Sequence, residues 1–276
     1  MIIKAYAKIN IALKILGRRD DGYHILKSFM QSLPELYDIL EIVESEKTEI
    51  TCSNKNLSCG DDNLVAKALK AMGKNAKVHI EKRIPIAAGL AGGSADAAAV
   101  IYAFMGASDK AYSLAAGLGS DVPFSLMAIQ NQGRAAAIAT GTGTELEAVT
   151  PIEGHIVTVT PDVAVSTPAV YKKYDEMAAA RSPETATMRT TQRSELEASS
   201  QKGSGPKHDS SDQLDPHEFA LSYGNDLQAP AIKLCPQIQD TLDKLKQPHP
   251  VFGEAIKVQQ SGSGPTCFAI YKEETK

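Results

Sequence analysis

The chain has 276 residues, 43% of them hydrophobic and 22% charged, the profile of a globular protein with a large core and enough length for two domains. Lys and Arg total 29 against 33 for Asp and Glu, a net charge of -4. This argues against a broad nucleic-acid-binding face and still allows a small anion held at one local positive site.

No apolar run approaches the ~18 residues of a membrane span, and the opening MIIKAYAKIN is too short and too alternating for a secretory segment. Residues 2–16, IIKAYAKINIALKIL, read as a strand, with GRRDDGYH as the turn after it. Near-alternating runs follow at LEIVE, TEITC and KVHIE; in the last, a period of two buries Val78 and Ile80 and turns Lys77, His79 and Glu81 outward. Asp61-Asp62-Asn63 is a helix-start cluster ahead of LVAKALKAM. There Leu64, Val65, Ala68, Leu69 and Met72 share a face, and Gly73 is the stop. The cysteines, at 52, 59, 235 and 267, lack C-x-x-C spacing. Reduced thiols in a cytoplasmic protein, with neither a zinc site nor a disulfide framework, are therefore expected.

The segment PIAAGLAGGSADAAAVIYAF places Gly89, Gly92 and Gly93 between Pro85 and an alanine-rich apolar run. Glycine costs a helix roughly 1 kcal/mol relative to alanine, so three of them ahead of a helix need a reason. A helix start leaves N–H groups unpaired and carries partial positive charge, and glycine lets an anion reach that backbone. Residues 89–94 are then a phosphate cradle and 95–104 the helix behind it, with Ser94 adding a hydroxyl. Asp96 either complements the helix dipole or helps hold a metal ion. The alternative is a tight strand-to-helix turn packed on small residues. The spacing matches neither G-x-G-x-x-G nor G-x-x-x-x-G-K-[ST].

Further along, Asp121 in GSDVPF reads either as a helix cap followed by proline or as a carboxylate turned into a cleft. Thr150-Pro151 and Gly154 mark a soft boundary at 150–154, and GHIVTVTPDVAVSTPAVY reads as strand-rich. Residues 181–215 are rich in Ser, Thr, Gln, Lys and Asp, the composition of a mobile loop or poorly ordered insertion. Helical patterning resumes after Pro216, TCFAIY is the last apolar run, and no internal repeat is present.

Four segments, in order and spanning nearly the whole chain, resemble motifs of the GHMP kinases, the superfamily of galactokinase, homoserine kinase and mevalonate kinase. P-x-x-x-G-L-x-G-G-S-x-x-A-A from Pro85 is similar to their phosphate-binding motif. AKINIALKILGRRDDGYHIL from Ala7, GSDVPF from Gly119 and SGSGPTCFAIY from Ser261 resemble the others. Lys-Ile-Asn together with Gly-Tyr-His favours the branch whose acceptor is a cytidine diphospho-methylerythritol. The resemblance implies a two-domain α+β fold with the active site between the halves. Residues 1–150 would form a ribosomal-protein-like domain with a left-handed βαβ crossover, and 151–276 a ferredoxin-like domain.

It also implies ATP as donor, Mg²⁺ as phosphate counter-charge and a monomer or weak homodimer with small-molecule partners only. Lys8 and Asp121 match the catalytic positions. Pro85, Ala88, Gly89, Leu90, Ala91, Gly92, Gly93 and Ser94 match the ATP loop, and Asn63 and Lys82 match positions near the adenine. Asn10, Tyr23, His24, Thr167 and Tyr171 match the substrate end. No metal ligand is assigned. Plainer roles stay open: a solvent-facing edge-strand lysine for Lys8, a core tyrosine for Tyr171, a helix cap for Asn63 and a solvated charge for Lys82. Other acceptors (a sugar, homoserine or mevalonate) and a non-catalytic nucleotide-binding protein also stay open. Four departures accompany the match. The stretch from Phe104 to Gly119 looks short, NQGRAAAIATGTG looks long, and Ala95 stands where a second serine is common. The chain also stops soon after TCFAIY, which is expected to leave a sheet edge of the second half uncovered.

Overall fold

The computed structural model describes residues 1–181 and 214–272. The segment 182–213, most of the stretch read above as a mobile insertion, lies outside the described residues. The first sheet is built on two long strands, β1 (Ile2–Arg18) and β2 (His24–Glu44), paired antiparallel from Ile2↔Glu41 to Arg18↔His24. Their length lets β2 serve two partners on its other side. Ile39 to Glu44 pair with β4 (Ala76–Glu81), and Ser28 to Gln31 pair with β5 (Ala136–Thr140). β3 (Glu49–Cys52) runs parallel to β4, and β6 (Glu145–Val149) closes the far edge beside β5.

Helices cover this sheet. α1 (Leu64–Met72) starts at Asn63 and stops at Gly73, whose φ of 63 is the left-handed value that favours glycine. α2 (Gly92–Met105) is the central helix, with Ala95, Ala97, Ala98, Ala99, Val100 and Ile101 all buried. A helix apolar all round belongs inside, and its alanines let α1, α3 (Asp109–Leu118) and α4 (Val122–Gln130) pack closely around it. The short stretch after Phe104 holds one complete helix, α3, capped by Ser108. Alternation in β4 is as expected, with Val78 and Ile80 buried.

Among the described residues the second sheet has three antiparallel strands in the order β7 (His155–Val159), β9 (Cys267–Tyr271), β8 (Ala255–Gln260). The last strand is thus central, and β7 and β8 are outermost. Only the first part of the 154–171 run is a strand. The chain turns irregular after Val159, and α5 (Thr167–Arg181) begins at Thr167. α7 (Gln228–Leu234) and α8 (Gln237–Leu245) join α5 over a second core of Val170, Leu227, Ile238, Leu242 and Ala269. Between them α6 (Pro216–Ser222) crosses back, burying Phe219 against β1 and β2. The two sheets therefore share an interface, with β1 buried on both faces from Ala5 to Leu13. All four cysteines are free thiols, and among the described residues no helix is long and apolar enough to cross a membrane.

Candidate active site

A cleft of about 1180 Å³ opens along β1 where the two halves meet. That exceeds the roughly 300–1,000 Å³ of a pocket for one small ligand, so two substrates can share it. Its walls are the glycine loop, the turn before β2, the starts of α4 and α5, and Gly262-Ser263.

At its centre, Lys8 and Asn10 are two apart on β1 and face one side. Lys8 Nζ donates to Asn10 Oδ1 at 2.6 Å. Asn10 Nδ2 donates to Ser28 Oγ at 2.8 Å, and that hydroxyl donates to the Ala12 carbonyl at 2.7 Å. A register shift of β1 between Asn10 and Ala12 places a bulge beside the pair, a common way to re-aim side chains at a site. Asp121 occupies the N-cap position of α4 without making a capping bond. Its φ/ψ of -86/-12 are helical, whereas a capping side chain needs the extended conformation to reach back over the first turn. The carboxylate turns instead to Lys8, with Oδ1 3.4 Å from Nζ. Lys8 is only 6% exposed against 36% for Asp121, so neither the solvent-facing lysine nor the capping aspartate describes this structure.

The glycine loop differs from expectation in one respect. The helix begins at Gly92, so Gly92, Gly93 and Ser94 form its first turn. Glycine is tolerated there because first-turn amides lack intrahelical partners anyway. Ala91 holds the cap position with φ 59 and no side-chain cap bond, and Ala87 has φ 56. Two alanines in the left-handed region are strained backbone of the kind that gathers at functional sites. The turn is pinned from both halves. Lys8 N donates to Leu90 O at 3.1 Å, Thr266 N to Ala88 O at 3.2 Å, and Ser261 Oγ to Gly89 O at 3.4 Å. Packing explains Gly92, where a Cβ would lie 3.0 Å from Ile84 Cγ2 and from Lys82 Nζ. It does not explain Gly93, where a Cβ would meet only Leu64 Cδ1 at 3.7 Å. An uncapped helix start with bare backbone has the polarity that attracts an anion.

Of the two residues expected near adenine, Lys82 lines the cleft and Asn63 does not, and both are engaged within the protein. Asn63 caps α1, its Oδ1 accepting from Val65 N at 2.8 Å and its Nδ2 donating to Ser58 O at 2.6 Å. It does not line the cleft; Leu57 and Leu64 form that wall. Lys82 is no solvated charge, since Nζ is buried between Asp38 Oδ2 and Asp96 Oδ2, at 2.6 Å from each. Asp96 thus faces the interior, not a metal. Burial, with Asp38 beside it, pushes its carboxyl up to about 7 despite Lys82. Burial alone would depress the Lys82 ammonium, but the two carboxylates outweigh it and raise it. Asp38 is anchored by the amides of Arg83 and Ile84 at 2.6 and 2.8 Å.

The far end of the cleft is aromatic. His24 stacks on Tyr171 at 4.8 Å between centroids and meets Tyr174 edge-on at 6.0 Å. Tyr23 beside it is exposed and lines the cleft. Burial, then the nearby Asp121 carboxylate, pushes the Tyr171 phenol up to about 12. Thr167 and Ser263 share a hydroxyl–hydroxyl bond of 2.7 Å that ties the start of α5 to the glycine segment 262–264. Sequence reasoning missed Asp175, whose Oδ1 is 2.8 Å from His24 Nε2. Its signal is its spacing, four residues beyond Tyr171 and so on the same helical face, but it lies just past a run, 154–171, that reads as strand-rich.

These features coincide with known relatives. Residues 63–128 match the family model for the GHMP kinases N terminal domain and 215–276 that for GHMP kinases C terminal. A 4-diphosphocytidyl-2-C-methyl-D-erythritol kinase of Thermoanaerobacter pseudethanolicus is 32% identical over 99% of this chain and 88% of its own. One from Clostridium acetobutylicum is 38% identical over 67% of this chain and 68% of its own. A crystal structure of 4-(cytidine 5'-diphospho)-2C-methyl-D-erythritol kinase superposes with a TM-score of 0.65 at 28% identity, covering 98% of this chain and 90% of that one. With its two-domain fold and cleft, the chain belongs to the GHMP kinases, in the 4-diphosphocytidyl-2-C-methyl-D-erythritol kinase family.

Proposed function

We propose that this chain transfers the γ-phosphoryl group of ATP to the 2-hydroxyl of 4-diphosphocytidyl-2-C-methyl-D-erythritol, a step of the non-mevalonate route to isoprenoid precursors. Phosphoryl transfer asks a protein mainly for positioning and charge stabilisation. Asp121 takes the hydroxyl proton, and the Lys8 ammonium, 3.4 Å away, favours the developing alkoxide. The amides of Gly92, Gly93 and Ser94 receive the phosphates, Asn10 orients Lys8, and the cytosine rests against Tyr23, His24 and Tyr171. The division into residues 1–150 and 151–276 belongs to the same reading.

Among the described residues, no three His, Cys, Asp or Glu side chains converge to hold a metal, and Asp96 is committed to Lys82. The described residues therefore offer no ready-made cluster of three such ligands for magnesium. Bound together with the donor, Mg²⁺ would supply the counter-charge of its phosphates.

The observation that carries this reading is the Lys8–Asp121 pair facing one cleft with an uncapped helix start at one end and an aromatic wall at the other. An assay coupled to ADP release, with ATP and the cytidine acceptor, is expected to register turnover. No ADP release under conditions where the Thermoanaerobacter relative turns over would overturn it. A sugar, homoserine or mevalonate leaves the aromatic end without a role, so a panel of these acceptors is expected to give none.

A further inference from the structure

We propose that Asp175 is a positioning residue that fixes the His24 imidazole with its proton on Nε2, so that Nδ1 accepts a hydrogen bond from the 4-amino group of the pyrimidine and rejects a 4-oxo pyrimidine. This rests on the reading of the aromatic end as the site of the acceptor's base. A carboxylate only accepts hydrogen bonds. With Asp175 Oδ1 at 2.8 Å, Nε2 carries the hydrogen, and in the neutral ring the lone pair is on Nδ1.

The arrangement is held on every side. The His24 side chain is 8% exposed, its face lies on Tyr171 and its edge against Tyr174. Arg18, opposite His24 in the β1–β2 ladder, approaches Asp175 Oδ2 with Nη1 at 3.3 Å. Its Nε donates to the Gly22 carbonyl at 3.1 Å, which holds the guanidinium in place. At the 4-position cytosine presents an N–H donor and uracil a carbonyl acceptor, so an acceptor on the protein pairs with the first and repels the second.

Arg18 also makes the test sharp. In Asp175→Asn the guanidinium, a donor, keeps the amide oxygen on its own side and leaves the amide NH₂ facing Nε2. That donor moves the ring proton to Nδ1 and reverses the polarity offered to the base. Asp175→Glu retains a carboxylate and its polarity.

Binding of 4-diphosphocytidyl-2-C-methyl-D-erythritol and of its uridine counterpart is measured by titration calorimetry without ATP. A buried polar group left facing the wrong partner costs about 1–3 kcal/mol, roughly five- to 150-fold, so the wild-type chain is expected to favour the cytidine ligand by that ratio. Asp175→Asn is expected to bring the ratio to about one or invert it, and Asp175→Glu to keep it even if both affinities fall. A merely structural role would weaken both ligands together. An Asn variant with an unchanged ratio, or a wild-type chain that binds the two ligands equally or not at all, overturns the proposal. Because no turnover is read, a chain that discriminates the ligands but releases no ADP would sink the kinase reading and leave this one standing.

Discussion

Gly89 and Gly264 cross with no side chain between them: a Cβ on Gly264 would lie 2.3 Å from Gly89 Cα, and one on Gly89 2.7 Å from Gly264 Cα. The glycine loop at 89–94 and the C-terminal glycine segment, far apart in the chain, are seated backbone to backbone. The contact leaves no room for a methyl group, and both partners are main chain that cannot rotate aside.

Gly264→Ala is accordingly expected to push the loop off its seat. Overpacking of this kind destabilises by typically 1–3 kcal/mol, and the displaced amides should weaken ATP binding at least about tenfold. Gly93→Ala is the contrast, since a methyl there finds only Leu64 Cδ1 at 3.7 Å. It should melt near the wild-type temperature while losing nucleotide affinity. Thermal melts and ATP titrations of the two variants separate the roles, and an unchanged ATP affinity in Gly93→Ala would remove that glycine from the cradle.

Asp121→Asn removes the proposed base and keeps the shape. General-base catalysis contributes roughly 10²–10⁴ in rate, so kcat should fall by that order while ATP affinity stays. Lys8→Met should also lose kcat, and it leaves Asn10 Oδ1 without its 2.6 Å donor. Steady-state kinetics beside equilibrium nucleotide binding reads both variants. Retained turnover in Asp121→Asn would take that carboxylate out of the mechanism.

The buried Asp38–Lys82–Asp96 group makes stability depend on pH in an unusual direction. Asp96 is raised to about 7, so above the ordinary carboxylate range, near pH 4, the unfolded chain has released a proton that the folded chain still holds. From there to about pH 7, stability falls as pH rises. Asp96→Asn removes this dependence. Its melting temperature relative to wild type should therefore increase between pH 5 and pH 7, and a constant difference across that range would contradict the assignment.

Asn63→Ala distinguishes a cap from an adenine contact. Loss of an N-cap costs about 1 kcal/mol. Because both ends of the amide are occupied within 2.8 Å by Val65 N and Ser58 O, the KM for ATP should not move. A raised KM at unchanged stability would reverse the assignment.

Much of this molecule was legible from neighbours along the chain. Steric repeat lengths of 2.0 and 3.6 residues placed Val78 and Ile80 inside, put Lys8 and Asn10 on one face, and bounded α1 by Asn63 and Gly73. The bare helix start behind the glycine loop was legible because the free amides of a first turn are a local property. Asn63 apart, whose partners Val65 and Ser58 are local, the residues whose roles were decided late have partners far away in sequence. Local arguments at Asp121 favour capping, and only the approach of β1 turned its carboxylate to Lys8 instead. Lys82 looks like any surface lysine until Asp38, 44 residues away, closes over it. Asp175 acquires meaning only once α5 brings it to His24, 151 residues distant. Periodicity and capping are settled by short-range sterics and hydrogen bonding, which the amino-acid order contains directly. Which buried charge meets which depends on the closure of two sheets around a shared strand, and that is decided only when the whole core packs.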